Sequence, residues 1–145
     1  LDGRECHEPV VQRLFPPMIP WFALDERLVG LGMVLQRDPD KAVMDAFRRL
    51  ESAVKSRCGF TAELFGVEVF KKAFRGSGAK LYWPGLTAGE TEGRAQLFEA
   101  AFMAYRNPRA HRDDTSDVNR AYREFFLLNE LFLLEAESVP KAQRP

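Results

Sequence analysis

The sequence predicts an all-α fold, a compact bundle of four to five helices. Apolar residues recur at i, i+3, i+4 and i+7 in successive stretches of the chain. The breaks between those stretches carry proline, glycine and residues that cap helix starts. Only residues 80–86 read as strand-like, and Pro84-Gly85 cuts them off as a loop or short hairpin edge. A chain of 145 residues, 46% apolar and 29% charged, sustains one globular core without disulfide or metal staples. It divides into a proline-rich lead-in (1–20), a helical domain (21–138) and a frayed tail (139–145).

Each element has its own signature. In the lead-in, Pro9, Pro16, Pro17 and Pro20 cannot share one helix, because each lacks a donor and clashes with the preceding turn. Its apolar residues suggest a segment packed on the body. Leu24, Leu28, Leu31 and Leu35 define a first helix over 22–37, with Gly30 and Gly32 allowing close packing. Asp38 as cap and Pro39 at the first position open a second helix that runs to about Arg57 and stops at Gly59. Its stripe is Val43, Ala46, Phe47, Leu50 and Val54. Leu64, Val67, Phe70, Ala73 and Phe74 define a shorter amphipathic helix over 61–74. A fourth follows from about Glu92 through Ala95, Phe98, Phe102 and Tyr105, and is expected to kink or break at Pro108, with Asn107 pushed out of helical geometry. The last helix, about 117–137, carries Tyr122, Phe125, Leu128 and Phe132 inside, with Arg120, Arg123, Glu124 and Glu130 outside. Leu127 and Leu131 widen its stripe, as in a helix covered from two sides, by its own domain and by a partner chain.

Several function classes drop out. Lys+Arg and Asp+Glu both number 21, so bulk positive charge does not coat nucleic acid, although a local basic patch can bind it. Cys6 and Cys58 form neither a CxxC nor a Cys/His grid and read as reduced thiols of a cytoplasmic protein. No apolar run is long enough for a membrane span, and no signal-peptide pattern is present. The start at Leu1 points to residues or a domain upstream. Phosphate-cradling glycine loops, GxSxG and HExxH are missing. Asp113, Asp114 and Asp117 read as helix caps rather than metal ligands, and no metal or cofactor is expected. Trp21 and Trp83 flank loops; they and the other aromatics read as packing residues, not as a base-reading platform.

One segment carries chemistry. Arg106, Arg109, Arg112 and His111 fall within seven residues, and no acid lies among them. Capping of the fourth helix accounts for the arginines and for Asn107-Pro108, but not for His111. Cleavage of RNA without a metal uses all of them. A histidine near its ordinary pKa of about 6.5 shuttles protons. An arginine holds phosphate through two parallel donors. One histidine per chain is thin for both acid and base, and a two-fold dimer brings two of each into one cleft.

Arg106-Asn107-Pro108-Arg109-Ala110-His111 resembles the Arg-x4-His motif of the HEPN superfamily, in its RNxxxH form. Ala42–Val54, the 66–74 segment, and Phe102–His111 followed by the Leu/Phe-rich last helix are similar to the Ymh-type branch of that superfamily. The resemblance covers roughly residues 22–137 and leaves out the lead-in. It implies a bundle that dimerises through the motif helix and the last helix. It also implies a metal-independent endoribonuclease of toxin or phage-defence type, giving 2′,3′-cyclic phosphate and 5′-OH ends. In that reading Arg106, Asn107 and His111 are catalytic, and Arg109 and Arg112 bind flanking phosphates. Its partners are RNA, a second copy, and an antitoxin or an upstream domain. The alternative is a catalytically silent dimerisation or partner-binding module of a larger defence or regulatory protein, since fold does not fix function.

Overall fold

Apolar burial along two 20-residue helices organises the molecule. The computed structural model describes residues 18–111 and 117–142, the backbone alone at His111. After single 3-10 turns at Trp21–Ala23 and Glu26–Leu28, the helices are α1 (Val29–Leu35), α2 (Pro39–Cys58), α3 (Val67–Phe74), α4 (Ala88–Ala101) and α6 (Val118–Glu137). Between α4 and α6, a π-helical turn (Phe102–Arg106) leads into the short α5 (Asn107–His111). Two-residue strands, β1 (Leu81–Tyr82) and β2 (Val139–Pro140), pair antiparallel, with Leu81 opposite Pro140 and Tyr82 opposite Val139. The fold is therefore all-helical, as expected.

The central helix, α2, packs against α6 on one side and α1 on the other, while α3 packs on α4. Asp38 caps α2 by accepting from the Lys41 N–H, and Pro39 takes the first position. Gly59 ends it with φ 67°, a left-handed conformation that costs glycine little. Ala42, Val43, Ala46, Phe47, Leu50 and Val54 face the core. An aromatic column fills the α3–α4 interface: Phe70 lies 4.4 Å from Phe102 and 5.4 Å from Phe98, and Phe74 lies 4.9 Å from Phe98 and 4.6 Å from Trp83. Trp83 is buried, and its indole donates to the Leu134 carbonyl at 2.7 Å. Trp21 stays half-exposed and covers Gly32, where a Cβ would lie 2.9 Å from its ring.

The structure corrects the expected boundaries. The stretch 22–37 is not one helix. Asp25 adopts ψ 136°, its N–H donates to Asn129 Oδ1 at 2.7 Å, and its carboxylate caps the turn that follows. The third helix begins at Val67 rather than near 61. Gly66 turns the chain at φ 66° and donates its N–H to Glu51 Oε1 at 3.0 Å. The fourth starts earlier than its apolar period, because Thr87 and Glu90 cap each other's backbone. Val139 and Pro140, expected in a frayed tail, are held by β1. Pro108 breaks nothing, and Asn107 keeps helical angles of −63° and −46°. The lead-in to Pro17 and residues 112–116 lie outside the described residues.

Candidate functional site

The cationic segment sits at the end of a continuous helical run from Ala88 to His111. Proline in a helix removes one donor and pushes on the carbonyl four residues back. Here the turn before it is widened: the Asn107 N–H donates to the Phe102 carbonyl, five residues earlier. That π turn gives the Pro108 ring room, so the axis continues and delivers Arg106, Asn107 and His111 one after another. Asn107 and His111 are one helical turn apart in sequence.

Arg106 and Arg109 meet different fates. The Arg109 side chain is only 9% exposed. Its Nε donates to both carboxylate oxygens of Glu124 at 3.1 Å, and its Nη2 also donates to Glu124. Its Nη1 donates to Asp40 Oδ1 at 2.6 Å. Burial opposes the charge, but hydrogen bonds to Glu124 and Asp40 outweigh it and hold the guanidinium above its ordinary pKa. Arg109 therefore ties α5 to the start of α2 and to α6, and its donors point to carboxylates of its own chain. Arg106, by contrast, is half-buried, and its Nε is enclosed without a hydrogen-bond partner among the described residues. Asn107 is also half-buried. Arg112 lies outside the described residues. Among the described residues no three His, Cys, Asp or Glu side chains gather as metal ligands. The Cys58 thiol is pushed up to about 11 by burial, which makes it a poor nucleophile.

Glu124 is a correction and a residue that sequence reasoning missed. Expected to point outward, it is 3% exposed. The signal was present: Glu124 follows the buried Ala121 by three and precedes the buried Leu128 by four, so the period places it on the inner face. Beside it opens a cleft of about 340 Å³ walled by Tyr105, Arg120, Arg123, Glu124 and Leu127. Tyr105 and Arg109, one turn apart, both face α6 there.

Of the two residues expected to widen the α6 stripe, Leu131 is buried by the chain itself and Leu127 is half-buried at the cleft. Exposed apolar residues also line the helix that leads to the motif. On the outer face of α4 and its π turn, Leu97 is 46% and Met103 56% exposed, with Ala100 and Ala104 exposed between and beyond them. This stripe runs directly into Arg106.

These features define a class: an all-helical domain with an arginine-rich segment delivered at a helix end, beside an open cleft. The chain belongs to the Hypoth_ymh family, described as proteins of unknown function, whose family model matches residues 32–133. The match runs from α1 almost to the end of α6 and includes the whole Arg106–His111 segment. No curated protein and no solved structure matches the chain. No helix among the described residues is long and apolar enough to cross a membrane.

Proposed function

We propose that the chain is a homodimeric, metal-independent endoribonuclease of HEPN type, acting in a toxin or phage-defence setting. The observation that carries the reading is the contrast within the motif. Arg109 is committed to Glu124 and Asp40, whereas Arg106 keeps an enclosed Nε with no partner among the described residues, beside Asn107 and one turn from His111. A half-buried guanidinium that makes no ion pair with a described carboxylate leaves donors for a phosphate. The apolar outer stripe of α4 supports the dimer, because a second copy seated on it brings two motifs together about a two-fold axis.

In this mechanism the RNA 2′-oxygen attacks the neighbouring phosphorus while a neutral histidine takes its proton. The 5′-oxygen leaves with a proton from the second, protonated histidine. Arg106 offsets the charge gathered on the phosphorane oxygens, and Asn107 adds a neutral donor. The products carry a 2′,3′-cyclic phosphate and a 5′-OH. Arg109 acts as a positioning residue, fixing the helix end rather than gripping substrate.

The buried Arg109–Glu124 pair, joined at its edge by the more exposed Asp40, also favours a second reading, in which the segment is structural and the bundle is a dimerisation or partner-binding module. Incubation with pooled RNA in EDTA separates the two. The nuclease reading expects cutting that resists EDTA, leaves cyclic phosphate ends, and falls by at least about a hundredfold in His111→Ala and in Arg106→Ala. Cutting that EDTA abolishes, or that persists in both variants, sinks it.

A further inference from the structure

The cleft between Tyr105 and α6 has a chemistry that the motif does not use. Arg120 and Arg123 stand three apart on α6, so they share a face and rim the same opening. Glu124 forms part of the wall, but Arg109 binds its carboxylate from behind. Arg120 is 3.8 Å from that carboxylate and almost half-exposed. Arg123 is exposed and makes no ion pair with another described residue. The remaining walls are Tyr105, half-buried, and Leu127. A small inorganic anion has no use for an aromatic and an apolar wall. A nucleotide uses both, because it offers a base to the ring and a phosphate to the guanidinium groups. About 340 Å³ suits a small ligand rather than a folded partner. Glu124 of the cleft wall accepts from Arg109, so the cleft borders the motif segment.

We propose that Tyr105, Arg120 and Arg123 form a subsite for one nucleotide of a single-stranded RNA, adjacent to the phosphate that Arg106 would hold. Tyr105 stacks the base, and the two arginines take the flanking phosphate. The inference rests on the ribonuclease reading for the identity of its ligand, and its test separates the two.

The probe is a fluorescent 2′-O-methyl oligonucleotide, which binds as RNA does but has no free 2′-hydroxyl to attack. Its affinity for the full chain is measured by anisotropy across a salt series, and cleavage of unmodified RNA is followed in parallel. Arg123→Gln is expected to weaken binding severalfold and to reduce the slope of log Kd against log salt by about 0.7, one single-strand phosphate. Tyr105→Leu is expected to weaken binding about tenfold, while Tyr105→Phe, which keeps the ring, binds like the wild type. The exposed Arg123 variant guards against a mere folding defect in Tyr105→Leu. If the wild type binds and cuts but Arg123→Gln and Tyr105→Leu match it in affinity and salt slope, the subsite is overturned and the nuclease reading stands. If the variants lose affinity as expected but no protein cuts RNA, the subsite stands and the nuclease reading falls. A wild type that does not bind the oligonucleotide overturns both.

Discussion

Arg109 shows how one residue's role changes once its surroundings are known. In sequence it is one of a run of cations and reads as a phosphate ligand. In the fold it is 9% exposed and shared between Glu124, itself 3% exposed, and Asp40. A buried charge whose partner is deleted is left uncompensated, and such deletions cost about 3–5 kcal/mol. Arg109→Ala should therefore lower unfolding stability by about 3 kcal/mol in urea titration, mostly by stranding Glu124. A pure phosphate ligand on the surface would instead leave stability within about 0.5 kcal/mol of wild type. The sequence made the cationic segment legible because Arg106, Asn107, Pro108 and His111 are contiguous. It hid the carboxylates that answer it, because Asp40 and Glu124 lie 69 and 15 residues from Arg109. Of these two, only Glu124 carried a local sign of burial.

At the scale of elements, local signals were reliable wherever local forces decide. The Asp38-Pro39 start and Gly59 stop of α2 depend on a few neighbouring residues and stand as read. The Pro108 break failed because a proline rule assumes an ordinary helix, and the π turn before it removes the clash. The 22–37 helix is interrupted because Asp25 is extended, with ψ 136°, its carboxylate caps a new turn by accepting from the Arg27 N–H, and Asn129 holds its own N–H. Asp25 also offers a pH test of that turn. Hydrogen bonds from the Arg27 guanidinium, opposed by burial and helped by the Arg27 backbone N–H, hold its carboxyl below the ordinary carboxylate range. A carboxyl with a lowered folded pKa stabilises fully above its unfolded value, about 4, and loses that contribution as pH falls through the folded value. The Tm gap between wild type and Asp25→Asn should stay constant from pH 7 to about 5 and close below about 4. A gap that does not change down to pH 2 means that the carboxylate's charge does not hold the turn.

For the whole molecule, the decisive question is what covers the outer face of α4. The chain's own core is well closed: Glu135, 1% exposed, is clamped by Arg27 at 2.6 Å and Arg57 at 2.7 Å, which lock α6 to α2 and to the turn before α1. Among the described residues nothing covers Leu97, Ala100, Met103 and Ala104 in this way, and they lead to Arg106. A second copy on this face buries the stripe and supplies the second histidine that general acid–base cleavage needs. Leu97→Glu places a charge in the middle of that contact without touching the core. It should convert a dimer to a monomer in sedimentation experiments while leaving Tm within a few degrees. It should also abolish RNA cutting as fully as His111→Ala, although Arg106 and His111 are intact. A monomeric Leu97→Glu protein that still cuts would mean that each chain carries a complete site. A wild type that sediments as a monomer while cutting would remove the dimer from the mechanism altogether.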